Sequence, residues 1–148
     1  MEHFEFTVDK FTFRVAAGRA YTADGLWVLE EGGRVRVGVT DFLQQSSGDV
    51  AFVEVAGPGT AVAAGERLAN VETIKVDVAL PSPVSGTVVA VNEKLQLEAE
   101  IINQDPYGEG WLALIEPTAW PVERAALMTA EAYYAHSRAR ALEEMGRS

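Results

Sequence analysis

The most specific chemistry in this chain belongs to one lysine. Lys75 stands in the run Val71-Glu72-Thr73-Ile74-Lys75-Val76-Asp77-Val78-Ala79-Leu80-Pro81-Ser82-Pro83-Val84-Ser85-Gly86. Apolar residues flank it on both sides, and a Pro-x-Pro-x-x-Gly segment closes the run. A lysine ε-amine is an acylatable nucleophile, and acylation removes its charge. On a protruding tight turn between two β arms, such an amine is presented to other enzymes without any unfolding. A lone lysine in a hairpin reads as a surface residue; the surrounding motif shifts this one toward an amide-linked prosthetic arm. Lysine is otherwise scarce, with only Lys10 and Lys94 besides Lys75, against nine arginines.

Other chemistries find little footing. The chain has no cysteine, which removes disulfides, thiolate catalysis and Cys-ligated metals, so any redox chemistry must come from an attached group. The two histidines, His3 and His136, lie near opposite ends and read as solvated surface residues rather than catalytic or metal-binding ones. No catalytic triad, metal cluster or phosphate-binding glycine loop is present, and Gly57-Pro58-Gly59 reads as a structural turn. A net charge of −10 argues against nucleic-acid binding, which needs a basic footprint. The same charge suits docking on positively charged partner surfaces.

The elements that must position Lys75 are mainly β. Phe4–Val8 and Phe11–Val15 alternate apolar with polar around Asp9-Lys10, which predicts two half-buried strands and a tight turn. Tyr21-Thr22, Leu26–Leu29 and Val35–Val39 follow as strands, the last two joined through Glu31-Gly32-Gly33. Residues 40–48 predict a short helix capped by Thr40 or Asp41 and closed near Gly48. From 49 to 117 the pattern reads as β throughout, with frequent turns between short strands, as in a small sandwich or barrel. Within it, Gly59–Glu66 and Gly86–Asn92 loosely echo each other around the lysine hairpin. Residues 121–146 predict a helix that starts at Pro121, caps the sandwich and frays near Glu143 and Glu144. With 148 residues, 48% of them hydrophobic, one globular domain is expected: an N-terminal β extension (1–20) and a carrier body (21–148) that includes the C-terminal helix. No run is long and apolar enough to span a membrane, and MEHFEFTVDK lacks the pattern of a secretory signal, so a cytoplasmic protein is expected.

Taken together, these blocks resemble the H protein of the glycine cleavage system and its lipoyl-carrying relatives. The family signature Glu-Ser-Val-Lys, followed by Ser-Pro-Val-Ser-Gly, appears as Glu72-Thr73-Ile74-Lys75 and Ser82-Pro83-Val84-Ser85-Gly86, with the lysine-to-glycine spacing kept. Gly38-Val39-Thr40, Gly48–Val53 and Asn103-x-Asp105-Pro106-Tyr107-Gly108-x-Gly110-Trp111 match in the same order. The match runs from about Tyr21 to Pro117 and more loosely through the C-terminal helix. The resemblance implies a lipoyl-type barrel-sandwich hybrid, a flattened β-barrel with a short internal helix and a C-terminal helix. It also implies a covalent lipoate on Lys75 as N6-lipoyllysine, with Glu72 and Gly86 recognised by the lipoylating enzyme. Such a protein is a carrier rather than an enzyme, and is expected to be a monomer. Its partners would be a lipoate ligase or other lipoylation enzyme, the enzymes that load and unload the arm, and dihydrolipoamide dehydrogenase. Nucleic acid and membrane are not expected partners. Biotinyl carriers place their lysine between methionines, from which Ile74-Lys75-Val76 departs.

The chain departs from the glycine-cleavage pattern in two places. Gly25-Leu26 replaces a His-Glu before Trp27, and Val78-Ala79 replaces a Ser-Asp after the lysine. A cationic aminomethyl adduct would lose charge-assisted partners there, with Asp24 and Asp77 as partial substitutes. An apolar groove of Leu26, Val78 and Ala79 would suit a neutral sulfur cargo. The favoured expectation is therefore a relative working with a heterodisulfide-reductase-like complex in sulfur oxidation. A glycine-cleavage carrier and an unmodified interaction module are the alternatives.

Overall fold

The computed structural model describes residues 2–145. The first hairpin, β1 (His3–Val8) and β2 (Phe11–Ala16), pairs as the alternation predicts, with Val8 opposite Phe11 and Phe6 opposite Phe13. Asp9 turns the corner with φ 57°, a conformation that short polar side chains tolerate. One face of the ribbon buries Phe6, Val8, Phe13 and Val15.

The body is two sheets closed around an aliphatic core. A six-stranded sheet runs in the order β3 (Ala20–Tyr21), β4 (Leu26–Glu31), β5 (Arg34–Val39), β11 (Ala113–Pro117), β10 (Gly86–Val91) and β7 (Ala61–Val62). A three-stranded sheet places β8 (Arg67–Thr73) between β6 (Val50–Val55) and β9 (Asp77–Pro81). All these pairs are antiparallel, as the frequent short turns suggest. The two echoing sequence stretches are neighbours here, since β7 pairs with β10 at Gly86–Val62 and Thr87–Ala61. Between the sheets lie Leu26, Val37, Val53, Leu68, Val71, Leu80, Val88 and Ile115, all buried. Trp27 lies directly over its cross-strand partner Gly38, where any Cβ would come within 2.4 Å of the indole. This contact accounts for the glycine in the Gly38-Val39-Thr40 block.

Helix α1 (Asp41–Ser47) forms as expected, with Thr40 as N-cap accepting from the Leu43 N–H at 3.2 Å. Two expectations are corrected. The stretch 49–117 is not β throughout: a 3₁₀ turn at Glu93–Gln96 and helix α2 (Ile101–Gln104) interrupt it. Each is a single turn burying one residue, Leu95 or Ile102, too little for a helical period to show in sequence. The C-terminal segment is two helices, α3 (Trp120–Ala126, with Pro121 in its first turn) and α4 (Ala130–Met145). The break arises because Met128 bonds to Tyr21 in both directions, N–H to O, at 2.8 and 2.9 Å. Thr129 then restarts the chain by accepting the Ala132 N–H. The expectation of a helix to residue 146 with a frayed end falls partly outside the described residues.

Helix α4 packs on β1, β2 and β3 and buries Ala130, Tyr133, Ser137 and Ala141, one face at helical spacing. This cap is aromatic: Phe6, Phe13, Tyr21, Trp27, Phe42, Tyr107 and Tyr133 form one cluster. Phe6 stacks on Phe13 at 5.1 Å and Tyr21 on Tyr133 at 4.7 Å. The N-terminal hairpin therefore shares a core with the C-terminal helix. No helix among the described residues is long and apolar enough to cross a membrane.

Candidate functional site

Lys75 lies at the tip of the β8–β9 hairpin, exposed between exposed Ile74 and Val76. Two-residue hairpins favour positive φ, which β-branched Ile74 would resist; among the described residues Asp9 alone combines positive φ with a side chain. The tip is held instead by hydrogen bonds. Thr73 N–H donates to Val76 O at 2.8 Å, and Thr73 Oγ1 accepts from the Lys75 and Val76 N–H groups at 3.1 and 3.0 Å. The same hydroxyl donates to Ser47 O at 2.7 Å, and Ile74 N–H donates to Asp49 O at 3.1 Å. The hairpin is thus pinned to the end of α1.

The lysine stem crosses Gly48, where an added Cβ would lie 2.9 Å from Lys75 Cε. Gly48 itself has φ 94° and closes α1 by donating to Gln44 O. Lys75 Nζ donates to Ser46 O at 3.1 Å, one of the free carbonyls at the helix end, where a cation is favoured. An acylated lysine loses its charge but keeps one N–H at that nitrogen, the donor such a contact needs. The exposed side chain, with only a backbone carbonyl at its tip, fits an acyl-lysine arm.

Asn103 is a supporting residue that sequence reasoning did not single out. Its Oδ1 accepts from Val50 N–H at 2.8 Å, and its Nδ2 donates to Gln44 Oε1 and Gly48 O at 3.0 Å each. It locks α2, α1 and the start of β6 together under the lysine. Its only sequence signal was its place in the Asn103–Trp111 block.

The expected site residues fall in different places. Glu72 is exposed beside the tip, opposite both Phe52 and Asp77 in the sheet register. Gly86 opens β10 and is buried; a Cβ there would sit 2.2 Å from Glu116 O, so strand packing by itself calls for glycine. Leu26, Val78 and Ala79 do not form one groove. Leu26 is sealed in the aliphatic core and Ala79 faces solvent, because alternation along β9 sends Val78 and Leu80 inward and Ala79 outward. Val78 instead joins Val39, Leu43, Val50, Val71 and Ile102 around a seam of about 10 Å³. That is barely one water's worth of space and holds no dithiolane ring.

A second, roomier cleft lies on the far side of Leu43 and Ser46. It measures about 240 Å³ and is walled by Ala23, Asp24 and Gly25 from the turn before β4, by Phe42 and Ser46 from α1, and by Tyr133, His136, Arg140 and Glu144 from α4. Ser46 therefore belongs both to this cleft and to the Lys75 contact. Glu144 pairs with Arg140 at 2.9 Å. Tyr133 shares a 2.9 Å hydrogen bond with Thr40, and burial pushes its phenol up to about 12, so it is neutral at ordinary pH. His136 is not the solvated residue expected: it is half-buried, with Nε2 buried and unpartnered. His3 does sit at the surface, 2.9 Å from Glu5. Asp77 lies on the outer sheet face with Ala79, away from this cleft, whereas Asp24 lines it. Among the described residues no group of three His, Cys, Asp or Glu side chains could hold a metal.

Comparison with known proteins agrees with this geometry. Residues 19–139 match the model of the glycine cleavage H-protein family. The "Glycine cleavage system H protein" of Coprothermobacter proteolyticus is 46% identical over 81% of this chain and 94% of its own length. "Glycine cleavage system H protein 4" of Aquifex aeolicus is 44% identical over 82% of this chain and 70% of its own length. The crystal structure of a glycine cleavage system H protein from Mycobacterium marinum superposes with a TM-score of 0.74 at 36% identity, covering 82% of this chain and 97% of that one. The β1–β2 hairpin lies outside the matched residues. With the barrel-sandwich fold and a pinned lysine hairpin in place, these similarities make the chain a member of the glycine cleavage H-protein family, carriers that hold lipoate covalently on a lysine.

Proposed function

We propose that this protein is the H protein of a glycine cleavage system, with its lipoyl group in amide linkage to Lys75. The observation that carries this reading is the shared wall at Ser46. Its carbonyl receives Lys75 Nζ, and the same residue lines a polar cleft that contains the Asp24 carboxylate and the Arg140–Glu144 ion pair. When attached, the lipoyl group supplies a reversibly opened disulfide whose sulfur takes up the aminomethyl cargo. The residues of this chain do the rest: the Thr73 and Ser47 contacts hold the arm's root steady, and the cleft offers negative charge to an ammonium. A tethered arm also concentrates its cargo at each docked enzyme.

The sulfur-oxidation expectation loses its footing here. It rested on an apolar groove of Leu26, Val78 and Ala79, and these residues are dispersed. Its other support was the missing carboxylates at 26 and 79; Asp24 supplies a carboxylate at the cleft, while Glu144 there is paired with Arg140. The curated relatives cited above carry the glycine-cleavage name. On this reading Glu72 and Gly86 guide the lipoylating enzyme, and residues 21–148 form the carrier body with 1–20 as an extension. The partners are a lipoate ligase, the glycine cleavage enzymes and dihydrolipoamide dehydrogenase, met in the cytoplasm.

Two measurements test the reading. Intact-mass analysis after co-expression with a lipoate ligase should show one lipoyl group on the wild type and none on Lys75→Arg. The lipoylated protein should then support glycine–carbon dioxide exchange with glycine decarboxylase. A lipoyl mass without exchange overturns the glycine-cleavage role in favour of another cargo; no lipoyl mass at all points to an unmodified interaction module.

A further inference from the structure

The β1–β2 ribbon lies outside the residues that the family model matches, so the carrier role does not account for it. Its two edges differ. The Ala17 N–H donates to Glu2 O, and bonded pairs alternate along an antiparallel ladder, so Phe4, Phe6 and Val8 are the residues of β1 that bond inward to β2. On β2, Thr12 and Arg14 therefore point their backbone groups outward, and the body uses them. Arg14 N–H donates to Asp41 at 2.9 Å, Gln45 Nε2 to Thr12 O at 2.9 Å, and the Tyr107 hydroxyl to Arg14 O at 2.8 Å. By the same alternation, Glu5 and Thr7 aim their N–H and C=O groups off the outer edge of β1. Both residues are exposed, and β1 has no second strand partner among the described residues. Free edges are commonly guarded by proline, lysine or a bulge; β1 has none of these and keeps one register from end to end. Beside the edge, Phe4 is 37% exposed and leans on Tyr134 of α4. Two turns further along the Tyr134 stripe, Leu142 is 45% exposed.

We infer that the outer edge of β1 is a dimerisation edge, which pairs antiparallel with β1 of a second copy about a two-fold axis through Phe6. This register overlaps residues 4–8 completely. Glu5 and Thr7 exchange four backbone hydrogen bonds with Thr7 and Glu5 of the second copy, and Phe4 lies opposite its Val8. A register centred on Glu5 would instead set two carboxylates face to face, which is unfavourable. Charge also permits the approach: residues 1–16 set Glu2, Glu5 and Asp9 against Lys10 and Arg14, so they carry little of the net charge of −10. The helices fit as well. Two strand spacings, about 10 Å, separate the ribbon centres in a four-stranded sheet, and packed helices lie about 8–10 Å apart. The two copies of α4 then lie side by side on one face and cover Phe4 and Leu142. The β2 edge lies against α1, so the β1 edge faces away from the α1 end that pins Lys75, and both lysines stay free. The inference is independent of what the lysine carries.

The test uses the full-length chain in sedimentation velocity over about a hundredfold range of concentration, since so small an interface dissociates on dilution. Mass should rise from monomer to dimer and stop there, because the paired edge is used up. Amide exchange at Glu5 and Thr7 should slow as the dimer forms, while Phe6 and Val8 stay protected throughout. Thr7→Pro deletes an outward N–H and leaves the β1–β2 ladder whole, so it should give a folded monomer at every concentration. Thr7→Glu sets like charges opposite each other twice and should weaken the dimer by on the order of tenfold. Adding Glu5→Gln to Thr7→Glu should restore it, a rescue that general damage to the ribbon would not allow. A wild type that stays monomeric overturns the inference. So does a dimer that tolerates both Thr7→Glu and Thr7→Pro, or one in which the Glu5 and Thr7 amides exchange as freely as in the monomer. Protection of those two amides only on adding a foreign extended peptide would assign the edge to another protein's strand and overturn the second copy as its occupant.

Discussion

Two regions of this molecule meet at the α1 helix and are built from different materials. The core under the lysine hairpin contains only aliphatic buried residues, such as Val53, Val71, Leu80, Val88 and Ile115. The cap made by β1, β2 and α4 is held by rings, with Phe13 touching Phe6 and Phe42, and Tyr21 stacked on Tyr133. β-Branched and leucine side chains suit a thin, closed sandwich, where each strand can bury only one small side chain in two. Aromatic rings let a two-stranded ribbon and one helix bury enough area to stay docked. The hairpin tip itself relies on neither material: hydrogen bonds from Thr73 to the end of α1 set its position. The lesson is a division of labour. The aliphatic body and its polar clamp present Lys75, and the aromatic cap supplies His136, Arg140 and Glu144 to the cleft.

The largest expected break in this comparison is Phe13→Ala. Phe13 is fully buried in the cap, and its loss should cost about 3–5 kcal/mol in denaturant unfolding. Lipoylation of Lys75 should proceed as before under folding conditions, since the tip's contacts lie elsewhere. Equal losses of stability and lipoylation would show the two regions to be one.

Alkaline pH should separate them next. Burial pushes the phenols of Tyr21, Tyr107 and Tyr133 up, Tyr133 to about 12, and all three belong to the aromatic cluster. The fold accepts their neutral form, so this stabilisation is whole below pH 10, the ordinary tyrosine value, and is lost as pH rises from 10 toward 12. For Tyr133 that amounts to on the order of 2–3 kcal/mol. Stability followed by denaturant titration should fall across that window, with near-ultraviolet dichroism of the cap lost early. A flat profile from pH 9 to 12 would contradict the burial of these phenols.

The smallest expected effect is at the clamp. Thr73→Val keeps the shape and removes the hydroxyl, at a cost of about 1 kcal/mol. Amide exchange at Ile74, Lys75 and Val76 should quicken and lipoylation should slow, while exchange in α4 stays unchanged. Unaltered exchange at the tip would mean that the Thr73 hydroxyl does not pin it.

Much of the fold was legible because it is locally encoded. The alternation of Phe4–Val15, the Thr40 cap and the Glu72–Gly86 spacing each involve residues close in the chain. The α3–α4 break was not legible, because a pairing between Tyr21 and Met128, distant in sequence, overrides a continuous helical composition. The proposed groove failed for a related reason. Leu26 and Ala79 looked adjacent by motif, but strand register and alternation sent one inward and the other outward.

The sequence by itself determined that Lys75 lies in an H-protein-like run, set between Glu72 and Gly86 on a β-hairpin, because that signal is a short run of residue types at set spacing. Only the tertiary structure decided what surrounds Lys75. Asp24, Ser46 and His136 lie on three separate segments, and they share a cleft because α4 docks across the N-terminal hairpin and β3 and meets the start of α1 at Thr40 and Phe42. Such convergence depends on packing between distant parts of the chain, which leaves no periodic or local trace in the order of residues.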